Sequence, residues 1–362
     1  CIRDSSKAKR LNPAVCGSGL FMEAIEQNPV YYELAFEMPC HPDSIDLRAW
    51  LKQYATRRYG AFSPATQKAW MLLFEGPYRQ GTNGTEKSSI VAARPALDVK
   101  KSGPNAGLEI PYDPALIIRA QSLLLEDADK LSASRPYRFD LVDVQRQMMT
   151  NLGQLIHRKA AEAFRSKDRE AFTLHSGRFL GMLADMDTLL RTRSEYSFDR
   201  WLTEARSWGE TEEEKNQMER DATSLVTIWG ADGDPHIFDY SWREWAGLIN
   251  GYYLPRWQKF YTMLQQHLDE GTSYEEVGLP QIYGREAFRA NDFYHALAEW
   301  ELSYVDTYGK ARIPATEGDE IDIVKRLFKK YFKLSQEYYT DSIKLIKPSR
   351  DERTYENLGE DL

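Results

Sequence analysis

The amino-acid sequence predicts a mainly α-helical protein, and three observations carry the prediction. From Asp113 onward apolar residues recur at i, i+3 and i+4, as in Leu116, Ile117, Ala120, Leu123 and Leu124 and then Leu141, Val144, Met148, Leu152 and Leu155, the spacing that lines one face of a helix. Capping residues precede the helical stretches, Asp43 and Ser44 before one and Ser63-Pro64 before another. Their side chains accept hydrogen bonds from the otherwise orphaned first amides. Upstream of position 80 only one segment, Pro13-Ala14-Val15-Cys16, reads as a short strand or extended run.

Taken in order, that extended run ends in the small-residue turn Gly17-Ser18-Gly19. A helix is expected from the Asp43-Ser44 cap to Tyr59, with Gly60 as its stop, and a second from Ser63 through Phe74. Residues 80–112, rich in Gly and Pro among polar residues, read as a long loop or small irregular insertion. Further helices are expected over 168–191, 198–208, 211–228, 239–249, 255–269, 285–306 and 319–333, joined by the short turns that bundles use. The sharpest break is Gly230-Ala231-Asp232-Gly233-Asp234-Pro235. No repeat of fixed period is present.

Composition excludes several function classes. With 42% hydrophobic and 12% aromatic residues, the 362-residue chain can fill a sizeable core. Its net charge of −8 opposes a nucleic-acid partner, because such surfaces concentrate Lys and Arg. No apolar run approaches the ~18 residues that span a bilayer. The three cysteines, Cys1, Cys16 and Cys40, are too few and too irregular for a disulfide scaffold or a zinc site. Whether Cys16 pairs with Cys40 stays open. The six histidines show no metal-ligand spacing, and neither a nucleophile elbow nor a phosphate loop is present. The reading therefore predicts no metal and no cofactor. Asn83-Gly84-Thr85 is a glycosylation acceptor in a predicted surface loop. The start Cys1-Ile2-Arg3-Asp4 has neither an initiator Met nor a signal-type core and reads as the middle of a longer protein.

Three constellations bear on chemistry. Glu23 follows the glycine turn directly, where a carboxylate at a strand end would project into a barrel mouth; Phe21 and Met22 would partly desolvate it. The alternative is a surface turn whose glutamates, Glu23, Glu26 and Glu33, face water. Asp140 and Asp143 share a helix face with Arg138 and Arg146 one turn away, which favours a structural ion network over an acid/base pair. Trp229 and Tyr240 bracket the glycine-rich break. They are placed either to stack on a sugar or to close the ends of two successive helices.

Several motifs in shared order resemble the α-N-acetylglucosaminidases, the family 89 glycoside hydrolases: Gly17-x-Gly19-x-x-x-Glu23-x-Ile25-x-Gln27-Asn28, Tyr54-Ala55-x-Arg57-Arg58-Tyr59-Gly60, Tyr137-Arg138-Phe139-Asp140-Leu141-Val142-Asp143-x-x-Arg146-Gln147, Trp201-Leu202-x-x-Ala205-Arg206, Leu225-x-x-x-Trp229-Gly230, Asp239-Tyr240 and Tyr252-Tyr253-x-Pro255-Arg256-Trp257. The resemblance implies residues 1–42 as the last strand and helix of a truncated (β/α)8 barrel, 43–347 as an all-helical domain and 348–362 as a polar tail. It further implies retaining hydrolysis of terminal α-linked N-acetylglucosamine, on heparan sulfate in lysosomal relatives, with a secreted, lysosomal or vacuolar parent protein. Glu23 matches the family's nucleophile, and Trp229, Tyr240 and, as a further wall residue, Ile237 match its sugar-binding aromatic loop. Ala24 replaces the glycine common after the nucleophile, and the loop between Trp229 and Tyr240 is longer than in some relatives. The acid/base carboxyl is expected upstream of this chain, so the chain alone is expected to be inactive. The competing reading is a non-catalytic helical binding module derived from that family. Homo-oligomerisation is left open. Without the barrel, Leu20, Phe21, Val30 and Leu34 are expected to lie exposed.

Overall fold

The computed structural model describes residues 11–12, 14–17, 19–21, 28–40, 45–78, 88–103, 107–230, 237–274, 292–310 and 318–339. The described chain is helical: α1 (Pro29–Glu37), α2 (Leu47–Tyr59), α3 (Pro64–Leu73), α4 (Ala115–Glu126), α5 (Arg135–Arg165), α6 (Arg169–Leu190), α7 (Phe198–Arg206), α8 (Glu212–Leu225), α9 (Leu254–Glu270), α10 (Asp292–Asp306) and α11 (Glu320–Tyr338). Among the described residues the only β pairing is two isolated bridges, Lys101 with Gly107 and Ser197 with Ala246. No helix among them is long and apolar enough to cross a membrane.

Local chemistry accounts for the helix ends. Asp46, two residues beyond the expected cap, accepts from the amides of Arg48 and Ala49, and Gly60 closes α2 at a φ of 75°. The Ser63 hydroxyl accepts from Ala65 and Thr66 ahead of Pro64. Asp168 caps α6, and Thr211 and Glu214 form a reciprocal capping box on α8.

The long pair α5 and α6 is the centre of the molecule. Buried Leu141, Met148, Met149, Leu152 and Ile156 of α5 join Phe179, Met182, Leu183 and Met186 of α6 in one core cluster. Gly153 permits their close approach, since a Cβ there would stand 2.6 Å from the Met182 methyl and 3.2 Å from Ile90. Helix α11 packs against α5, α9 against α6, α3 against α4, and α7 against α8.

Two expectations change and two become more definite. Residues 239–247 are irregular rather than helical, helix resuming only at Leu248. Asp239 and Gly247 both have positive φ, 60° and 88°, and the backbone amides find partners elsewhere: Ala246 donates to the Tyr196 carbonyl at 2.8 Å, and Gly247 to the Asp187 carboxylate at 2.6 Å. The run Ala14-Val15-Cys16 is not a strand. It follows a turn closed by Val15 N–H on the Asn12 carbonyl, and a strand needs a neighbour to satisfy its ladder. Val30 is buried rather than exposed, because α1 packs its inner face on the core; Phe21 is fully exposed as expected. The segment 88–103, expected in a loop, is irregular yet buried, with Val91, Ala92, Ala93 and Ala96 inaccessible. Its carbonyls are satisfied by side chains: Arg256 donates to Ala92 at 2.7 Å, Trp257 to Val91 at 3.3 Å and Tyr294 to Pro95 at 3.1 Å. The sequon at Asn83 and the tail 348–362 lie outside the described residues. Cys16 and Cys40 are free and exposed.

Candidate functional site

Helix α8 ends at Leu225, earlier than its apolar pattern suggested. The chain then turns back on itself: the Trp229 amide donates to the Ser224 carbonyl at 2.6 Å, and Gly230 donates to the Ser224 hydroxyl at 2.7 Å. This turn places Trp229 at a φ of 57°. The returning strand of the loop is tied to the same turn, because the Asp239 amide donates to the Thr227 carbonyl at 2.7 Å. The two aromatics that bracket the glycine-rich break are thereby brought together. The rings of Trp229 and Tyr240 lie 4.8 Å apart and are inclined at 44°.

Tyr240 is 42% exposed, and Trp229 and Ile237 are half-buried. The Ile237 carbonyl accepts from the Tyr240 amide at 3.1 Å. Aromatic side chains with an apolar body and a polar tip are enriched at interfaces. Trp229 stands in the turn that follows α8, four residues beyond its end, and Tyr240 lies in a turn rather than at the start of a helix.

Beneath this edge lies a closed ion network. Arg256 of α9 donates to both Asp239 carboxylate oxygens, at 3.1 and 2.9 Å, and to Glu301 of α10 at 2.9 Å. Arg94 donates to Glu301 at 3.3 and 2.6 Å. Asp239, Arg256 and Glu301 are fully buried and Arg94 nearly so. Two cations balance two carboxylates, which is what makes burial tolerable. Arg256 also lies against the rings of Tyr252 and Tyr253, 4.5 and 5.2 Å from their centroids. Burial pushes the Asp239 carboxyl up to about 6, with Arg256 opposing the shift and Glu301 adding to it.

The Asp140 and Asp143 pair is structural, as expected: Asp143 pairs with Arg146 one turn away, while Asp140 takes its partners from another helix. Arg58 of α2 grips Asp140 at 2.6 and 2.7 Å, and Tyr59 donates to it at 2.8 Å. Asp143 accepts from Arg146 and from the Tyr196 hydroxyl, each at 2.8 Å. Arg146 continues to Glu244, while Arg138 turns away to Asp319 and Glu320. Next to this network a cleft of about 150 Å³ opens, lined by Asn28, Tyr78, Phe139, Asp143 and Arg146. Asn28 caps α1 and donates to the Tyr78 hydroxyl. Glu23 lies outside the described residues.

Sequence reasoning missed Arg94, Glu301 and Gly103 as parts of the site's support. Two of them carry a signal. Glu301 interrupts the buried stripe Leu297, Ala298, Val305 on α10, and Arg94 interrupts the buried run Ile90 to Leu97. A charge at an apolar period position is buried only with a partner.

Comparison with known proteins identifies the family. The family model described as the α-N-acetylglucosaminidase (NAGLU) C-terminal domain matches residues 50–330. Human α-N-acetylglucosaminidase is 31% identical over 340 residues, which is 91% of this chain and 42% of the human protein. A family 89 glycoside hydrolase from Clostridium perfringens, solved in complex with PUGNAc, superposes with a TM-score of 0.80 at 26% identity, over 91% of this chain and 36% of that one. The Clostridium perfringens enzyme with two Glu-to-Gln substitutions, solved with its substrate GlcNAc-α-1,4-galactose, gives a TM-score of 0.81 at 26% identity, over 93% and 38%. This chain thus spans less than half the length of the relatives it matches. With the match extending over most of its helices and through the aromatic loop, the chain belongs to the family 89 glycoside hydrolases, as an α-N-acetylglucosaminidase-like C-terminal domain.

Proposed function

We propose that this chain is part of a retaining exo-glycosidase that removes terminal non-reducing α-linked N-acetylglucosamine from glycans. In this reading, residues 1–42 complete a (β/α)8 catalytic barrel, 43–347 form the helical domain and 348–362 a polar tail. Glu23 is the nucleophile. Trp229, Ile237 and Tyr240 form the wall that the helical domain lends to the sugar site. The observation that carries the reading is the Trp229–Tyr240 edge, 4.8 Å between rings, in a chain whose structural relative was solved with GlcNAc-α-1,4-galactose as its substrate.

Retention requires two carboxyl groups roughly 5–5.5 Å apart, one attacking the anomeric carbon and the other protonating the leaving oxygen. Glu23 performs the attack and forms a glycosyl-enzyme. A carboxyl group on upstream barrel sequence protonates the departing oxygen and then activates the water that releases the sugar. The aromatic wall holds the ring by apolar contact while leaving its hydroxyls to polar partners.

The test is turnover of a chromogenic α-N-acetylglucosaminide by the 362-residue chain, alone and joined to its upstream coding sequence, with the product anomer followed by NMR. Activity only in the joined protein, with the α-anomer released first, is the expected result. Turnover by the chain alone would place both carboxyl groups within it, the β-anomer would contradict retention, and inactivity of the joined protein would favour a binding module.

A further inference from the structure

Asp239 is an expensive residue to place where it stands. It is fully buried and adopts a left-handed backbone with φ 60°. A left-handed turn position is served more cheaply by Gly, and a buried carboxylate costs free energy unless it is paired and hydrogen-bonded. Here the pairing draws in two buried arginines and a second carboxylate from three separate segments. Such an arrangement fixes geometry.

What it fixes is the next residue. The Asp239 side chain is held through both oxygens by Arg256, its amide by the Thr227 carbonyl, and the Tyr240 amide by the Ile237 carbonyl. Its carbonyl faces Gly103: a Cβ at that glycine would come within 2.9 Å of the Asp239 oxygen and 3.6 Å of the Tyr240 Cα. Gly103 has no Cβ, so the irregular 88–103 segment can pass directly under the aromatic edge. Arg256 is in turn immobilised by the Ala92 carbonyl, Glu301 and two tyrosine rings. The Tyr240 backbone is therefore restrained from several directions, while Trp229 is fixed independently by Ser224.

We propose that Asp239 and Gly103 are positioning residues for the sugar wall: together they set where the Tyr240 ring stands relative to Trp229, and through it the affinity of the site for a terminal N-acetylhexosamine. This rests on the functional reading above and deepens it. Neither residue touches the sugar. A wall that contacts ground state and transition state alike contributes uniform binding, so its displacement raises KM and leaves kcat largely unchanged.

The experiment uses the chain joined to its upstream sequence, with KM and kcat on a chromogenic α-N-acetylglucosaminide and the inhibition constant of PUGNAc as readouts. Asp239→Asn and Gly103→Ala are each expected to raise KM and the PUGNAc constant about ten-fold, with kcat within about two-fold. In a Tyr240→Ala background neither is expected to add a further rise, because the residue through which they act is gone. Gly103→Ala removes no charged member of the ion network, so it decides the question should Asp239→Asn not fold. Unchanged KM in folded variants, an equal loss in kcat, or an effect as large in the Tyr240→Ala background would each overturn the inference. If the unsubstituted protein neither turns over the glycoside nor binds PUGNAc, the functional reading itself fails and takes this inference with it.

Discussion

His157 sits among Phe179, Trp257 and Tyr261 in the core, its Nδ1 2.8 Å from the Tyr261 hydroxyl, and burial drives its pKa from 6.5 down to about 4. The unfolded chain takes up the proton first, so the contribution to stability is full above about 6.5 and is lost as pH falls toward 4. At 1.36 kcal/mol per unit the loss is on the order of 3 kcal/mol. Asp239 has the opposite sign. Its raised pKa favours the folded state at low pH, and that contribution disappears as pH rises through about 6. Denaturant titrations at pH 7 and pH 4.5 separate the two: His157→Gln should lose less stability on acidification than the parent chain, and Asp239→Asn more. The same two residues show what was legible at this scale. Sequence marked Asp239 only as the neighbour of Tyr240, and His157 only as one of six histidines without metal-ligand spacing. The pairing of Asp239 with Arg256 spans helices and could not be read from local spacing.

At the scale of elements, most helices were legible because their ends are written in local chemistry. Asp168 at α6 and Thr211 at α8 are capping residues that announce themselves by type and position. The helix expected over 239–249 resumes only at Leu248 because earlier amides are claimed by Tyr196 and Asp187, partners more than forty residues away in sequence. The burial of the irregular 88–103 segment was not legible for a related reason: its carbonyls are satisfied by Arg256, Trp257 and Tyr294, which no local pattern reveals. Helix α8 offers a test that keeps stability apart from function. Thr211→Ala breaks the capping box and should cost about 1 kcal/mol of stability. The cap stands 14 helical residues ahead of the Trp229 turn, so KM of the joined protein should not change. A raised KM would mean that the far end of α8 controls the wall.

For the whole molecule, the helical domain is a frame that delivers one aromatic edge. The α5 and α6 pair supplies the core, the segment 88–103 is hydrogen-bonded to α9 through Arg256 and Trp257, and the Arg94, Glu301, Arg256 and Asp239 network joins that segment to α9, α10 and the aromatic loop. The helical class and the two ring residues were legible from periodicity and from the Gly-rich break between them. Their approach to 4.8 Å was not, since it depends on the Ser224 turn and on the buried charges beneath. Phe21 is exposed, and α1 turns Tyr31 and Phe36 outward. The central claim is that Glu23 attacks the sugar held against this edge. The most direct measurement is peptide mass spectrometry of the joined protein after reaction with a slow, fluorinated α-N-acetylglucosaminide that traps the glycosyl-enzyme. The account predicts one added sugar on the peptide containing Glu23, absent in Glu23→Gln, which should also lose turnover. A label on a different carboxylate, or full turnover by Glu23→Gln, would contradict it.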